Sequence, residues 1–180
     1  VKVVDKDVKL PEERKTSAET LEADTLEVLA DLNHASQKGL QTMFDSSVGR
    51  STVNHPLGGR YQITPTEASV QKLPVQYGVT TTASVIAQGF NPYIAEWSPY
   101  HGAAYAVIEA TARLVAVGAN WSKARFSYQE YFERMDKKAE RFGQPVSALL
   151  GSIEAQIQLG LPSIGGKDSM LSLIHISEPT

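Results

Sequence analysis

The segment that most constrains this chain is Ser98 to Gly118, a helix whose boundaries are written in residue chemistry. Ser98 is a natural N-cap, Pro99 fits the first helical position, and Gly118 fits the residue just past the end. The spacing predicts a helix over Pro99 to Val117 with Ala104, Val107, Ile108, Thr111, Leu114 and Val115 on its main apolar face. Much of the remaining surface is alanine, so other elements can approach it closely on several sides. Within this segment the full charges are Glu109 and Arg113, at i and i+4 on one face, with His101 and Tyr105 earlier on the helix. Two readings stay open: a surface ion pair, or an acid offered to a metal or ligand.

The rest of the chain reads as mixed α and β. Leu21, Leu26, Leu29, Leu32 and Leu40 fall roughly at helical spacing between Thr20 and Leu40, with early acids, the late Lys38, and Gly39 as a stop. Phe44 to Gly59 reads as loop and short strand, either a connector or a ligand-lining loop. Thr64-Pro65-Thr66-Glu67 has the capping-box pattern and predicts a short helix to Leu73, closed by Pro74. The β-branched run from Gly78 to Ala87 predicts a strand. A strand is expected over Trp121 to Phe126, and Ser127 with Glu130 makes a second capping box that predicts a helix ending at Gly143. The basic run Lys137, Lys138 and Arg141 reads as a solvated face. Pro145 then opens a last helix, with Val146, Leu149, Leu150, Ile153 and Ile157 toward the core and Gly160 at its end.

That helix delivers Gly160-Leu161-Pro162-Ser163-Ile164-Gly165-Gly166-Lys167-Asp168-Ser169-Met170. Read as a flexible turn, this stretch brings backbone N–H groups and a lysine to phosphate oxygens, while Asp168 holds a metal. It is not a P-loop, because Leu161 stands where that motif needs Gly and Asp168 where it needs Ser or Thr.

Bulk properties narrow the function classes. A net charge of −3 argues against a general nucleic-acid binder. Zero cysteines remove disulfides, thiolate metal sites and cysteine nucleophiles, and fit a cytoplasmic setting. No apolar run approaches the ~20 residues of a membrane span. Within the 180 residues, 1–19 read as the end of a preceding domain and a charged linker, and 20–170 as the principal domain. The last stretch, 171–180, reads as a foreign or mistranslated end.

Several segments together resemble the large multidomain phosphoribosylformylglycinamidine synthase (formylglycinamide ribonucleotide amidotransferase) family. They are Leu32-Asn33 with Ala35-Ser36, Phe44 to Gly49, Gly58 to Gln62, Ser98 to Ala103, Gln129 to Phe132, Ala148 to Gly151, and Leu161 to Met170. Their order, and the last segment above all, carries the resemblance, which spans roughly residues 20 to 170.

The resemblance implies the N-terminal half of the second aminoimidazole-ribonucleotide-synthetase-like unit, an α/β domain contributing strands to a shared barrel with flanking helices. It implies part of an ATP-dependent carbon–nitrogen ligase of purine biosynthesis, with the other synthetase domains and a glutaminase domain as partners. ATP or ADP would lie at Gly165, Gly166, Lys167, Asp168 and Ser169, with Mg²⁺ near Glu109 and Asp168. This part would supply an auxiliary nucleotide site and no catalytic nucleophile or base.

The chain departs from the family in three places. It has no acidic residue between Glu67 and Glu96, where many members carry a metal-binding Asp near the position of Gln76. Arg113 replaces a frequent Asn and is able to neutralise Glu109, and Leu171 to Thr180 does not follow the family pattern. The alternatives are a non-catalytic structural domain, or a stand-alone ATP-dependent kinase-like member of the same superfamily.

Overall fold

Contacts between residues in the computed structural model, which describes residues 17–32, 34–43 and 51–171, separate two compact units. One ends at Ser84 and the other begins at Val85. The fold is mixed α and β, and among the described residues the strands pair into three two-stranded sheets and form no closed barrel. Residues 1–16, Asn33, Phe44 to Arg50 and 172–180 lie outside the described part. So do the readings that fall on them: the preceding strand, the hydroxyl-rich half of the loop and most of the tail.

In the first unit, α1 spans Leu21–Ala30 and α2 spans Lys38–Gln41. The single helix expected from Thr20 to Leu40 is therefore broken. Asp31 turns extended with ψ 128°, and Gly39 lies inside α2 instead of ending a helix. The leucine spacing explains the break: after Leu32 the next leucine is Leu40, too far along to continue one stripe. Leu26, Leu29 and Leu32 are each at least 60% exposed, so no packing holds the helix together beyond Ala30.

The helix expected over Thr64 to Leu73 is replaced by strands. β1 (Leu57–Gly58) pairs antiparallel with β2 (Thr64–Pro65), and β3 (Ala68–Lys72) pairs with β4 (Ala83–Ala87). The capping box does not form because its Thr64 pairs with Gly58 in the β1–β2 ladder, while Thr66 Oγ1 donates to the His55 carbonyl at 2.7 Å. Long-range backbone bonds then outcompete the local helix: Val53 N–H to Val70 O at 2.9 Å, Lys72 N–H to Ser51 O at 2.7 Å, and Leu73 N–H to Thr82 O at 3.0 Å. The strand expected from Gly78 begins only at Ala83, and Val79 is 89% exposed.

The second unit carries the candidate site. Asn91 caps α3 (Pro92–Trp97), its side chain accepting from the Tyr93 and Ile94 N–H groups. Ser98 caps α4 (Pro99–Ala116) by accepting from the His101 N–H, and Gly118 sits at φ 78° just beyond it, as the sequence implies. Trp121–Lys123 is a 3₁₀ turn capped by Asn120, not the start of a strand. The strand β5 runs over Phe126–Glu133, where a helix was expected.

In β5, half-buried Phe126, Tyr128, Glu130 and Phe132 alternate with exposed Ser127, Gln129, Tyr131 and Glu133, a period of two that no helix can present on one face. β5 pairs in parallel with β6 (Ser163–Leu171), and α5 (Ala139–Leu159) is the crossover between them. The three elements make a βαβ unit.

Helix α5 runs through both Gly143, expected as a stop, and Pro145, expected as a start. Pro145 lacks an N–H and so leaves the Arg141 carbonyl without its helical donor, yet the helix continues because both residues are buried in packing. The helix ends as expected at Gly160, in the left-handed conformation at φ 67°.

The buried face of α5 is the reverse of the expected one. Gly143, Pro145, Ser147, Ala148, Gly151, Ser152 and Ala155 are buried, while Leu149, Leu150, Ile153 and Ile157 are 42–74% exposed. Close approach to α4 explains the choice. A Cβ on Gly151 would collide with the Tyr100 carbonyl and lie only 2.7 Å from its carbon, so only the small-residue face fits against that backbone. The expected apolar face of α4 is covered in part: its Val107 and Thr111 are buried, while its Ile108 and Val115 are 52% and 53% exposed. Leu161, 2% exposed directly after Gly160, anchors the entry to β6, a burial that contributes about 1.5–3 kcal/mol.

Candidate functional site

Gly165, Gly166, Lys167, Asp168 and Ser169 all lie within β6, so the expected flexible turn is a strand. Each is registered on β5: Gly165 with Ser127, Gly166 with Tyr128, Lys167 with Gln129, Asp168 with Glu130, and Ser169 with Tyr131. A Cβ on Gly166 would sit 3.0 Å from the Tyr128 carbonyl oxygen, so this glycine serves close strand approach. In a strand, backbone N–H groups point alternately to the two edges and do not converge on one anion as they do in a nest. A ligand at this motif would therefore be met by side chains.

Successive strand residues face opposite ways, and this sorts the motif. Lys167 and Ser169 share a face with Gln129 and Tyr131. Gln129 Nε2 fixes that grouping by donating to the Lys167 carbonyl at 3.0 Å and to Ser169 Oγ at 3.3 Å. Asp168 shares the other face with Glu130 and Tyr128. There burial first, and the Asp168 charge second, hold the Glu130 carboxyl above its ordinary range. One Glu130 oxygen, Oε2, is buried without a hydrogen-bond partner. Burial likewise pushes the Tyr128 hydroxyl up to about 12, with the Glu130 charge adding to it. Ser152 offsets only part of that rise. Its hydroxyl is committed to the Leu149 carbonyl at 2.9 Å, and Tyr128 Oη has no partner in full hydrogen-bonding geometry.

Glu109 and Arg113 form the ion pair at 2.8 Å, their side chains 35% and 29% exposed. The remaining Glu109 oxygen accepts the Phe90 N–H at 2.8 Å, and Arg113 donates to the Gln88 carbonyl at 3.0 Å. Between these two anchors lies Gly89, where a Cβ would stand 2.7 Å from the Ala110 nitrogen. The pair thus clasps the segment 88–90 against α4. His101 works as a capping partner, its Nδ1 2.8 Å from Ser98 Oγ and its ring beside Trp97 and Tyr100, while Tyr105 is exposed.

Magnesium prefers near-octahedral oxygen ligation with free carboxylate oxygens. Both Glu109 oxygens are already engaged, one by a guanidinium, and Asp168 is brought to Glu130. No group of three His, Asp or Glu residues positioned for a metal occurs among the described residues. The residues present do not fit a magnesium site built from Glu109 and Asp168.

Gln129 and Glu130 were not among the expected site residues. The signal that finds them is the period-two alternation of Phe126, Tyr128, Glu130 and Phe132, which the overlapping Ser127–Glu130 capping pattern obscures. No helix among the described residues is long and apolar enough to cross a membrane. Comparison of the chain with protein-family models, with curated proteins and with solved structures finds no match in any of the three.

Proposed function

We propose that this chain is part of an ATP-dependent carbon–nitrogen ligase of the phosphoribosylformylglycinamidine synthase family. In this reading it supplies structural α/β elements and an auxiliary nucleotide contact at Gly165 to Ser169, and the chemistry belongs to other domains of the same cytoplasmic protein. The observation that carries the reading is the ordered run of family-like segments ending in Leu161 to Met170. The geometry is compatible with it, because the motif follows a glycine-capped helix and presents Lys167 on exposed strand surface. Glu109 is committed to Arg113 and Phe90, so this reading assigns it no metal.

Isothermal titration of the chain with ATP and with ADP tests the nucleotide contact, and absence of heat with both would sink it. The reading open frame on either side tests the ligase assignment, which requires a first synthetase copy before this piece and a glutaminase after it.

A second reading, a structural domain without nucleotide, is favoured by one observation. The charged pair that a ligand would use instead ties residues 88–90 to α4. Under that reading the titration is silent and Glu109 variants change stability alone.

A further inference from the structure

Lys167 and Asp168 are adjacent in sequence but stand on opposite faces of the β5–β6 pair. One phosphate–metal group cannot engage both from the same side. On the Lys167 face, Ser169 adds a hydroxyl that Gln129 Nε2 holds at 3.3 Å, and Tyr131 adds an aromatic ring that is 67% exposed. No carboxylate lies within ion-pair distance of Lys167 among the described residues. The acid of β5 on that face, Glu133, is taken by Arg141 at 3.1 Å. This leaves an uncompensated cation beside a neutral hydroxyl donor and a stacking ring, a set that suits the phosphate and base of a nucleotide. The two carboxylates, Glu130 and Asp168, are turned away from it.

We propose that this face of the β5–β6 pair binds a nucleotide without a metal, Lys167 and Ser169 taking the phosphates and Tyr131 the base, while Gln129 holds Ser169 in place. This rests on the nucleotide reading above and changes its terms: Asp168 is no ligand, and magnesium is not required. The side-chain donors replace the converging amides of a loop, because an extended strand points its N–H groups alternately to its two edges.

The test is titration of the chain with ADP in excess EDTA and again in Mg²⁺, followed by Lys167→Met and Asp168→Asn, with circular dichroism to check that each variant is folded. The expected result is a Kd equal within about twofold in both buffers, weakened at least about tenfold by Lys167→Met and unchanged within about twofold by Asp168→Asn. ADP binding that needs Mg²⁺, or that falls as much with Asp168→Asn as with Lys167→Met, overturns metal-free binding but leaves the nucleotide reading standing. No ADP binding in either buffer removes both.

Discussion

Gly151→Ala is the sharpest test of how α4 and α5 pack. In an exposed helix interior the change should stabilise by up to about 1 kcal/mol, because alanine is the better helix former. Here the added methyl would fall on the Tyr100 carbonyl and lie 2.7 Å from its carbon and 3.0 Å from its Cα. Restoring ordinary contact near 3.4 Å requires the helix backbones to part by at least roughly 0.7 Å at that carbon and by more at its oxygen, and a backbone carbonyl cannot swing aside as a side chain would.

That displacement loosens the contacts of Ala148, Ala155 and Val107, the buried apolar residues of the two helices. Overpacking of this kind costs about 1–3 kcal/mol, and the backbone clash places it at the upper end. After the propensity gain, the expected net loss is about 2 kcal/mol, or a Tm lower by roughly 4–8 °C for a chain of this size. Thermal and urea unfolding followed by circular dichroism measure it. Gly165→Ala, with nothing within 4 Å of the added carbon, is the control and should shift Tm by less than about 2 °C. A Gly151→Ala protein as stable as the parent, or more stable, would refute the close crossing and with it the reason that the small-residue face of α5 is buried.

Other outcomes follow from the same contacts. Glu109→Ala removes both the Arg113 pair and the acceptor for Phe90, so it should cost about 1–2 kcal/mol and speed exchange of the Phe90 amide proton; Arg113→Ala should cost less and leave that proton protected. Glu130 is raised by burial and by Asp168, so the folded state holds its proton more tightly than the unfolded one, and stability falls as pH rises through and above 4.5. Glu130→Gln should therefore raise Tm at pH 7 and lose that advantage at pH 3; an equal gain at both pH values would contradict the assignment. Tyrosine absorbance in an alkaline titration should contain one group ionising near 12, absent in Tyr128→Phe. Ile157→Lys, at a position 74% exposed on the apolar face of α5, should reduce dye binding and self-association while moving Tm by less than about 2 °C.

Legibility followed the range of the forces. Helix α4 was readable because Ser98, Pro99 and Gly118 act within one turn of their own positions. The end of α5 at Gly160 was readable for the same reason. The capping boxes at Thr64 and Ser127 misled because a hydroxyl and an acid three apart are only permissive of a helix. Thr66 found the His55 carbonyl, and Ser127 found a place opposite Gly165. Those partners lie 11 and 38 residues away in sequence, beyond any local window.

For the site, the residue types of Gly165 to Ser169 were legible and their arrangement was not. A glycine pair followed by Lys-Asp-Ser looks like a loop until a parallel strand stands beside it.

The sequence by itself determined where the local signals lie: the start and stop of α4, the end of α5, the placement of Glu109 and Arg113 on one helix face at i and i+4, and the presence of a cation, an acid and a hydroxyl in one short run. Tertiary structure decided which way they face. Burial of the Gly151 side of α5 depends on the Tyr100 backbone arriving there, and the separation of Lys167 from Asp168 depends on β6 pairing with β5. The physical reason is common to both. Periodicity specifies which residues share a face, but only the partner that packs against the element selects the face that is covered.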